Sequence, residues 1–105
     1  MSHFTTIKTK ISEEDLLLKS LDNLKLNWSR KKIIINQFNN EEYFCNVIIK
    51  QKNNQEIGFL KKDNHYKLIF DEMFWSLPIS ISLFNQKINN QYTLNLINKN
   101  LLYFV

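Results

Sequence analysis

The sequence predicts an α+β fold: one domain over residues 1–105, an antiparallel sheet of about five strands, and two helices packed mainly on one face of it. Three observations predict it. Near the N-terminus a period-two pattern hands over to a helical leucine stripe. Between residues 33 and 71, short alternating segments are separated by Asn-rich turns. After Pro78, apolar residues return at helical spacing.

Over residues 2–11, Thr5, Ile7, Thr9 and Ile11 fall on one side and Phe4, Thr6, Lys8 and Lys10 on the other. Successive side chains of a strand point to opposite faces, and β-branched residues pack well on that pleated surface. Ser12 then opens a helix. Glu13, Glu14 and Asp15 put negative charge beside the unpaired N–H groups of its first turn, with Asp15 as the acidic member of a capping box. Leu17, Leu18, Leu21 and Leu24 supply the apolar stripe, and Asn27 is the expected stop.

A meander follows. Residues 33–38 read as a strand, Asn39-Asn40 as a turn, and residues 43–50 as a strand with Tyr43, Cys45, Val47 and Ile49 on one face. Lys52, Asn53, Asn54 and Gln55 make the next turn, since Asn tolerates left-handed backbone angles. Residues 57–61, the Asp63-Asn64 turn and residues 65–71 complete the run, with Tyr66, Leu68 and Phe70 sharing a side. Such alternation suits an antiparallel sheet with one face on a core and the other in water.

Beyond Pro78, Ile81, Phe84, Ile88 and Tyr92 recur at helical spacing, with Leu94, Ile97 and Leu101 on an adjoining stripe. Yet Tyr92, Leu94 and Leu96 also alternate, and Asn98-Lys99-Asn100 would serve as a hairpin turn into residues 101–105. Periodicity favours the helix, with the hairpin as the alternative.

The 44% hydrophobic and 13% aromatic fractions place the chain among globular proteins, and 105 residues suffice for an unaided core. Alanine is absent, and Gly58, Pro78 and Arg30 are single, beside thirteen lysines. An A+T-rich gene accounts for that bias. The net charge of +4 is therefore read as a solvated surface: Lys8, Lys10, Lys31, Lys32, Lys50, Lys52, Lys61 and Lys62 lie at strand ends and turns. Nucleic acid is not an expected partner. A lone Cys45 cannot form an internal disulfide, which points to a reducing compartment. The opening residues lack the pattern of a signal peptide, and no apolar run reaches the roughly 18 residues of a transmembrane segment.

Chemistry-bearing residues are sparse. His3 and His65 are the only histidines, and with one cysteine they make no zinc set at ligand spacing. His65 reads as a turn residue, while His3 is a binding candidate. Cys45, between Tyr43 and Val47, reads as a small buried hydrophobe rather than a nucleophile. Glu13, Glu14 and Asp15 serve a helix start, and Glu41-Glu42 flank a turn. Asp71 and Glu72 are the best remaining acid–base pair, though a lone pair specifies no reaction. One glycine cannot build a phosphate-cradling loop. No catalytic residue, cofactor site or metal site is expected. The segment Met73-Phe74-Trp75-Ser76-Leu77-Pro78 concentrates large apolar groups where the sheet hands over to the final helix. It reads either as a lid on the core or as a docking anchor, with Phe74, Trp75 and Leu77 as candidate partner-binding residues.

The opening Met1-Ser2-His3-Phe4-Thr5-Thr6-Ile7-Lys8-Thr9 resembles the hypothetical chloroplast reading frame thirty-five family of plastids and cyanobacteria, which is also a domain of unknown function in other bacteria. Ile57-Gly58-Phe59, then Tyr66, Leu68, Asp71 and Trp75, and Phe84-Asn85-Gln86 through Gln91-Tyr92 extend the resemblance in order to about residue 98. It implies a plastid protein on the soluble side and favours helix over residues 80–98. It carries no activity and no functional residue. The reading that results is a non-catalytic accessory or interaction protein with a protein partner. The alternatives are an RNA-binding module, which would need Lys and aromatics on one solvent face, and an enzyme without a recognisable motif.

Overall fold

A computed structural model describes residues 3–36 and 39–101. In chain order they form β1 (Phe4–Lys8), α1 (Glu14–Asn23), β2 (Trp28–Ile35), β3 (Glu42–Lys50), β4 (Glu56–Lys62), β5 (His65–Asp71), a 3-10 turn (Glu72–Phe74) and α2 (Ile81–Leu101). The fold is α+β. Among the described residues the sheet has five strands in the order β1-β5-β4-β3-β2, with every neighbouring pair antiparallel. The main core lies between the helices and one sheet face. Leu17 and Leu21 of α1 and Phe84, Ile88 and Tyr92 of α2 bury against Val47, Ile49, Ile57, Phe59, Tyr66, Leu68 and Phe70.

Several local expectations shift for physical reasons. The first strand ends at Lys8, because Tyr66 accepts from Thr9 N–H and donates to Ile11 C=O, so the chain bulges there. Ser12 does not cap α1. Glu13 is the cap residue without a side-chain bond, and the Tyr92 hydroxyl instead accepts from the Ser12 and Glu13 N–H groups at 3.2 and 3.1 Å. The predicted stop at Asn27 falls earlier. Leu26 N–H reaches Leu21 C=O and Lys25 N–H reaches Asp22 C=O, with Lys25 at φ 60°, which is a Schellman ending built on lysine instead of glycine.

The strand expected over 33–38 begins earlier, at Trp28. Ser29, Arg30, Lys31 and Lys32 hide it in the sequence, since an edge strand tolerates polar residues. Positions 37 and 38 lie outside the described residues.

One facial assignment is corrected. Val47 pairs with Phe59 on the helix side, yet Cys45 lies over Gly58 on the opposite face. There Ile34, Cys45, Ile48 and Ile69 form a second small core, joined by Phe4, Tyr43 and Leu60. Arg30 reaches Glu14 of α1, whereas Lys32 reaches Glu56, so β2 changes sides together with β3. The pairing register is unchanged across the switch. The outer half of this hairpin thus folds over the face that alternation alone assigns to water. Gly58 makes this fit possible: a Cβ there would collide with Cys45 Sγ and lie 3.2 Å from Cys45 Cβ.

After Pro78 the chain is helical to Leu101, so the hairpin reading fails; residues 102–105 lie outside the described residues. Ser80 caps α2 by accepting from Leu83 N–H at 3.1 Å. Polar side chains fix the helix on its neighbours. Asn95, buried, donates to Ser20 Oγ at 2.9 Å and to Asn23 Oδ1 at 3.0 Å. Asn89 Oδ1 accepts from Lys10 N–H at 2.9 Å. The Asn95 bonds satisfy a group whose burial alone is unfavourable, and they set how α2 lies along α1.

Candidate functional site

The segment between β5 and α2 is held by side chains on three sides. Asp71 Oδ1 accepts from Met73 N–H at 3.0 Å and its Oδ2 accepts from Asn36 Nδ2 at 2.9 Å, so this carboxylate is engaged in structure. Gln51, buried in the β3–β4 turn, accepts from Ser76 N–H at 2.6 Å and donates to Phe74 C=O at 3.2 Å. Trp75 is wedged between Phe70 and Phe84, with ring centroids 5.4 Å apart on both sides in edge-to-face geometry. Its indole N–H donates to Ile79 C=O at 2.8 Å.

The three predicted anchors therefore part company. Leu77 lines an apolar groove of about 170 Å³ with Leu24, Leu26, Pro78, Ile79, Phe84 and Lys87. Trp75 lies against the aromatic floor of that groove through Phe84. Phe74 lines a separate small cleft with Phe4, Ile35 and Asp71.

An exposed apolar stripe on α2 was not anticipated from the sequence. Leu94, Ile97 and Leu101, expected on a stripe adjoining that of Ile81, Phe84, Ile88 and Tyr92, are 55, 49 and 56% exposed. With Leu83 they occupy the side of α2 opposite Phe84, Ile88, Tyr92 and Asn95. Lys87 lies on this outer stripe and also borders the groove. A second exposed set, Ile33, Ile35 and Phe44, marks the outer β2–β3 hairpin. The signal for the outer stripe was in the sequence: apolar residues at helical spacing on two sides of one helix.

The remaining candidates have structural surroundings. His3 Nδ1 lies 2.8 Å from Asn39 Nδ2 and 3.7 Å from Glu41. The Asn39 amide and the Phe4 N–H hold the Glu41 carboxyl below its usual range. Cys45 is buried, and desolvation pushes its thiol up to about 12. Burial likewise raises the Tyr66 phenol to about 12. Among the described residues no three His, Cys, Asp or Glu side chains converge as metal ligands would. No helix among them is long and apolar enough to cross a membrane.

A family model described as a protein of unknown function, DUF1257, matches residues 20–101. The chain belongs to the DUF1257 family. Curated relatives named uncharacterized protein ycf35 agree along nearly its whole length. The Guillardia theta protein is 38% identical over 99 residues, covering 94% of this chain and 77% of the relative. The Cyanophora paradoxa protein is 37% identical over 97 residues, covering 92 and 76%. The Pyropia yezoensis protein is 37% identical over 92 residues, covering 88 and 72%. No solved structure matches the chain. These DUF1257 relatives come from plastid-bearing organisms, as the resemblance of the opening residues implied.

Proposed function

We propose that this chain is a non-catalytic plastid accessory protein that acts as one α+β unit and docks a protein partner on the outer face of α2. The observation that carries the reading is a helix apolar on two sides. Its inner side is fully seated on the core, while Leu83, Leu94, Ile97 and Leu101 stay 40–56% exposed. Contiguous exposed apolar groups of this kind mark interaction surfaces. The groove at Leu77, with Trp75 supporting its floor, continues the surface past Lys87.

The partner is an amphipathic helix whose apolar stripe is flanked by acidic residues. The outer side of α2 carries Lys87, and the helix has no carboxylate, so a second copy of α2 offers no complementary charge. Helix-on-helix docking needs apolar residues recurring at three- and four-residue steps, as in Leu94, Ile97 and Leu101.

The test is a photo-cross-linking amino acid placed at position 94 of the intact chain in plastids. The expected adduct maps to an acidic amphipathic helix and disappears in an Ile97→Ser/Leu101→Ser background. An adduct to a second copy of the chain, or labelling that ignores those two substitutions, contradicts the proposal.

A further inference from the structure

Lysines that look scattered in the sequence converge at one corner of the sheet. On the face away from the helices, Lys8 of β1, Lys62 of β4, and His65 and Lys67 of β5 line a concavity of about 390 Å³ with Thr9 and Asp63. Lys8 and Lys67 are direct cross-strand neighbours, as are Lys62 and His65. Like charges placed directly opposite each other on a sheet are destabilising. Among the described residues, Lys8, Lys62 and Lys67 form no ion pair. Among the described residues these three lysines thus line one concavity with a single carboxylate, Asp63, beside them.

The walls of this corner are fixed. Asp63 and Asn64 both adopt left-handed angles, φ 54° and 69°, the geometry of a two-residue hairpin turn that sets the separation of Lys62 and His65. On the other side Thr9, buried, donates its hydroxyl to Tyr66 C=O at 2.7 Å and accepts from Ile11 N–H at 3.1 Å, locking the bulge after Lys8. A bulge beside a site is a recurrent way of aiming side chains.

We propose that this concavity binds the phosphate groups of a small phosphorylated ligand. Its volume falls within the range of roughly 300–1,000 Å³ usual for small-molecule sites. Ammonium and imidazole N–H groups are the donors that phosphate oxygens require. A nucleic-acid strand fits less well. It needs a charged track with stacking rings, whereas no Phe, Tyr or Trp lines this corner. The positive charge also stops where the same face turns apolar at Leu60 and Ile69.

The test is an NMR titration of the isotope-labelled chain with inorganic pyrophosphate at fixed ionic strength, against sulfate. Pyrophosphate is expected to shift the amides of Lys8, Thr9, Lys62, Asp63, His65 and Lys67 saturably, and more strongly than sulfate does. Lys67→Glu is expected to weaken pyrophosphate binding roughly tenfold or more. It should leave the melting temperature unchanged or higher, because it replaces a like-charge pair with an opposite one. Lys8→Gln provides the same binding readout without reversing a charge, should the first variant fold poorly. Shifts that do not saturate, or that spread equally to Lys19, Lys52 and Lys87, overturn the proposal. So does a short uridine oligomer that outcompetes pyrophosphate with a footprint extending beyond this corner. The titration uses the chain alone, so its outcome is independent of what docks on α2.

Discussion

The two sides of α2 carry similar residues and meet opposite fates. Phe84, Ile88 and Tyr92 vanish into the core, while Leu83, Leu94, Ile97 and Leu101 face water. Residue type does not separate them, since leucine and isoleucine bury as readily as phenylalanine. What differs is the opposing surface. The inner side meets α1 and the sheet, whereas the outer side is left about half exposed among the described residues. The sheet repeats the contrast. Its second face is closed where the β2–β3 hairpin folds Ile34 and Cys45 over Gly58, and is open and basic at the Lys8–Lys67 corner. Apolar pattern alone says that a side chain wants cover; topology decides whether this chain supplies it.

Paired truncations on α2 should separate its two sides most strongly. Ile88→Ala should cost about 2–5 kcal/mol, as the lost transfer energy and the cavity add. Leu94→Ala, at the exposed stripe, should stay within about 0.5 kcal/mol. Urea unfolding followed by circular dichroism measures both. Equal costs would mean that the outer stripe is core.

On the sheet, Gly58→Ala forces a methyl group against Cys45 Sγ and Ile34 Cδ1. Overpacking of that kind typically costs about 1–3 kcal/mol. A neutral Gly58→Ala chain would show that the hairpin does not press on this face.

The closed side of the sheet also predicts a pH effect. Cys45 ordinarily titrates near 9.0 and is pushed to about 12 in the fold. Above pH 9 the unfolded chain loses this proton while the folded chain keeps it, so stability falls as pH rises. The slope from this one group is at most about 1.4 kcal/mol per pH unit. Tyr66 adds to the fall in the same direction above its ordinary value of 10.0. Cys45→Val should flatten the first part of the decline in denaturant midpoints measured from pH 8 to 10. An unchanged slope would mean that the thiol is open to water.

The smallest expected effect concerns the end of α1. Lys25 pays a steric cost at φ 60°, where glycine pays none. Lys25→Gly should raise stability by up to about 1 kcal/mol, offset in part by the freer unfolded chain. A drop in the melting temperature would indicate that the Lys25 side chain contributes contacts of its own.

Much of this fold was legible because period and turn chemistry agree. Leu17 and Leu21 announce α1, Tyr66, Leu68 and Phe70 announce β5, and Asp63-Asn64 announces its hairpin. The rest was hidden by features that carry no local signal. Ser29 to Lys32 read as polar because β2 is an edge. The side switch between Cys45 and Val47 keeps its sequence alternation while the paired strands turn. The partnership of Asn95 with Ser20 and Asn23 spans more than seventy residues of chain. At the handover segment, Trp75 and Leu77 stood out by size and apolarity. Which of them reached a groove depended on Gln51, a turn residue from elsewhere in the chain.

The outer stripe of α2 is open in the free chain while the inner stripe is closed. Methyl-labelled protein in the presence of a soluble gadolinium chelate reads this directly. The account predicts strong relaxation of the Leu94, Ile97 and Leu101 methyl signals and none beyond background for Ile88. Leu94, Ile97 and Leu101 methyls as silent as those of Ile88 would contradict it.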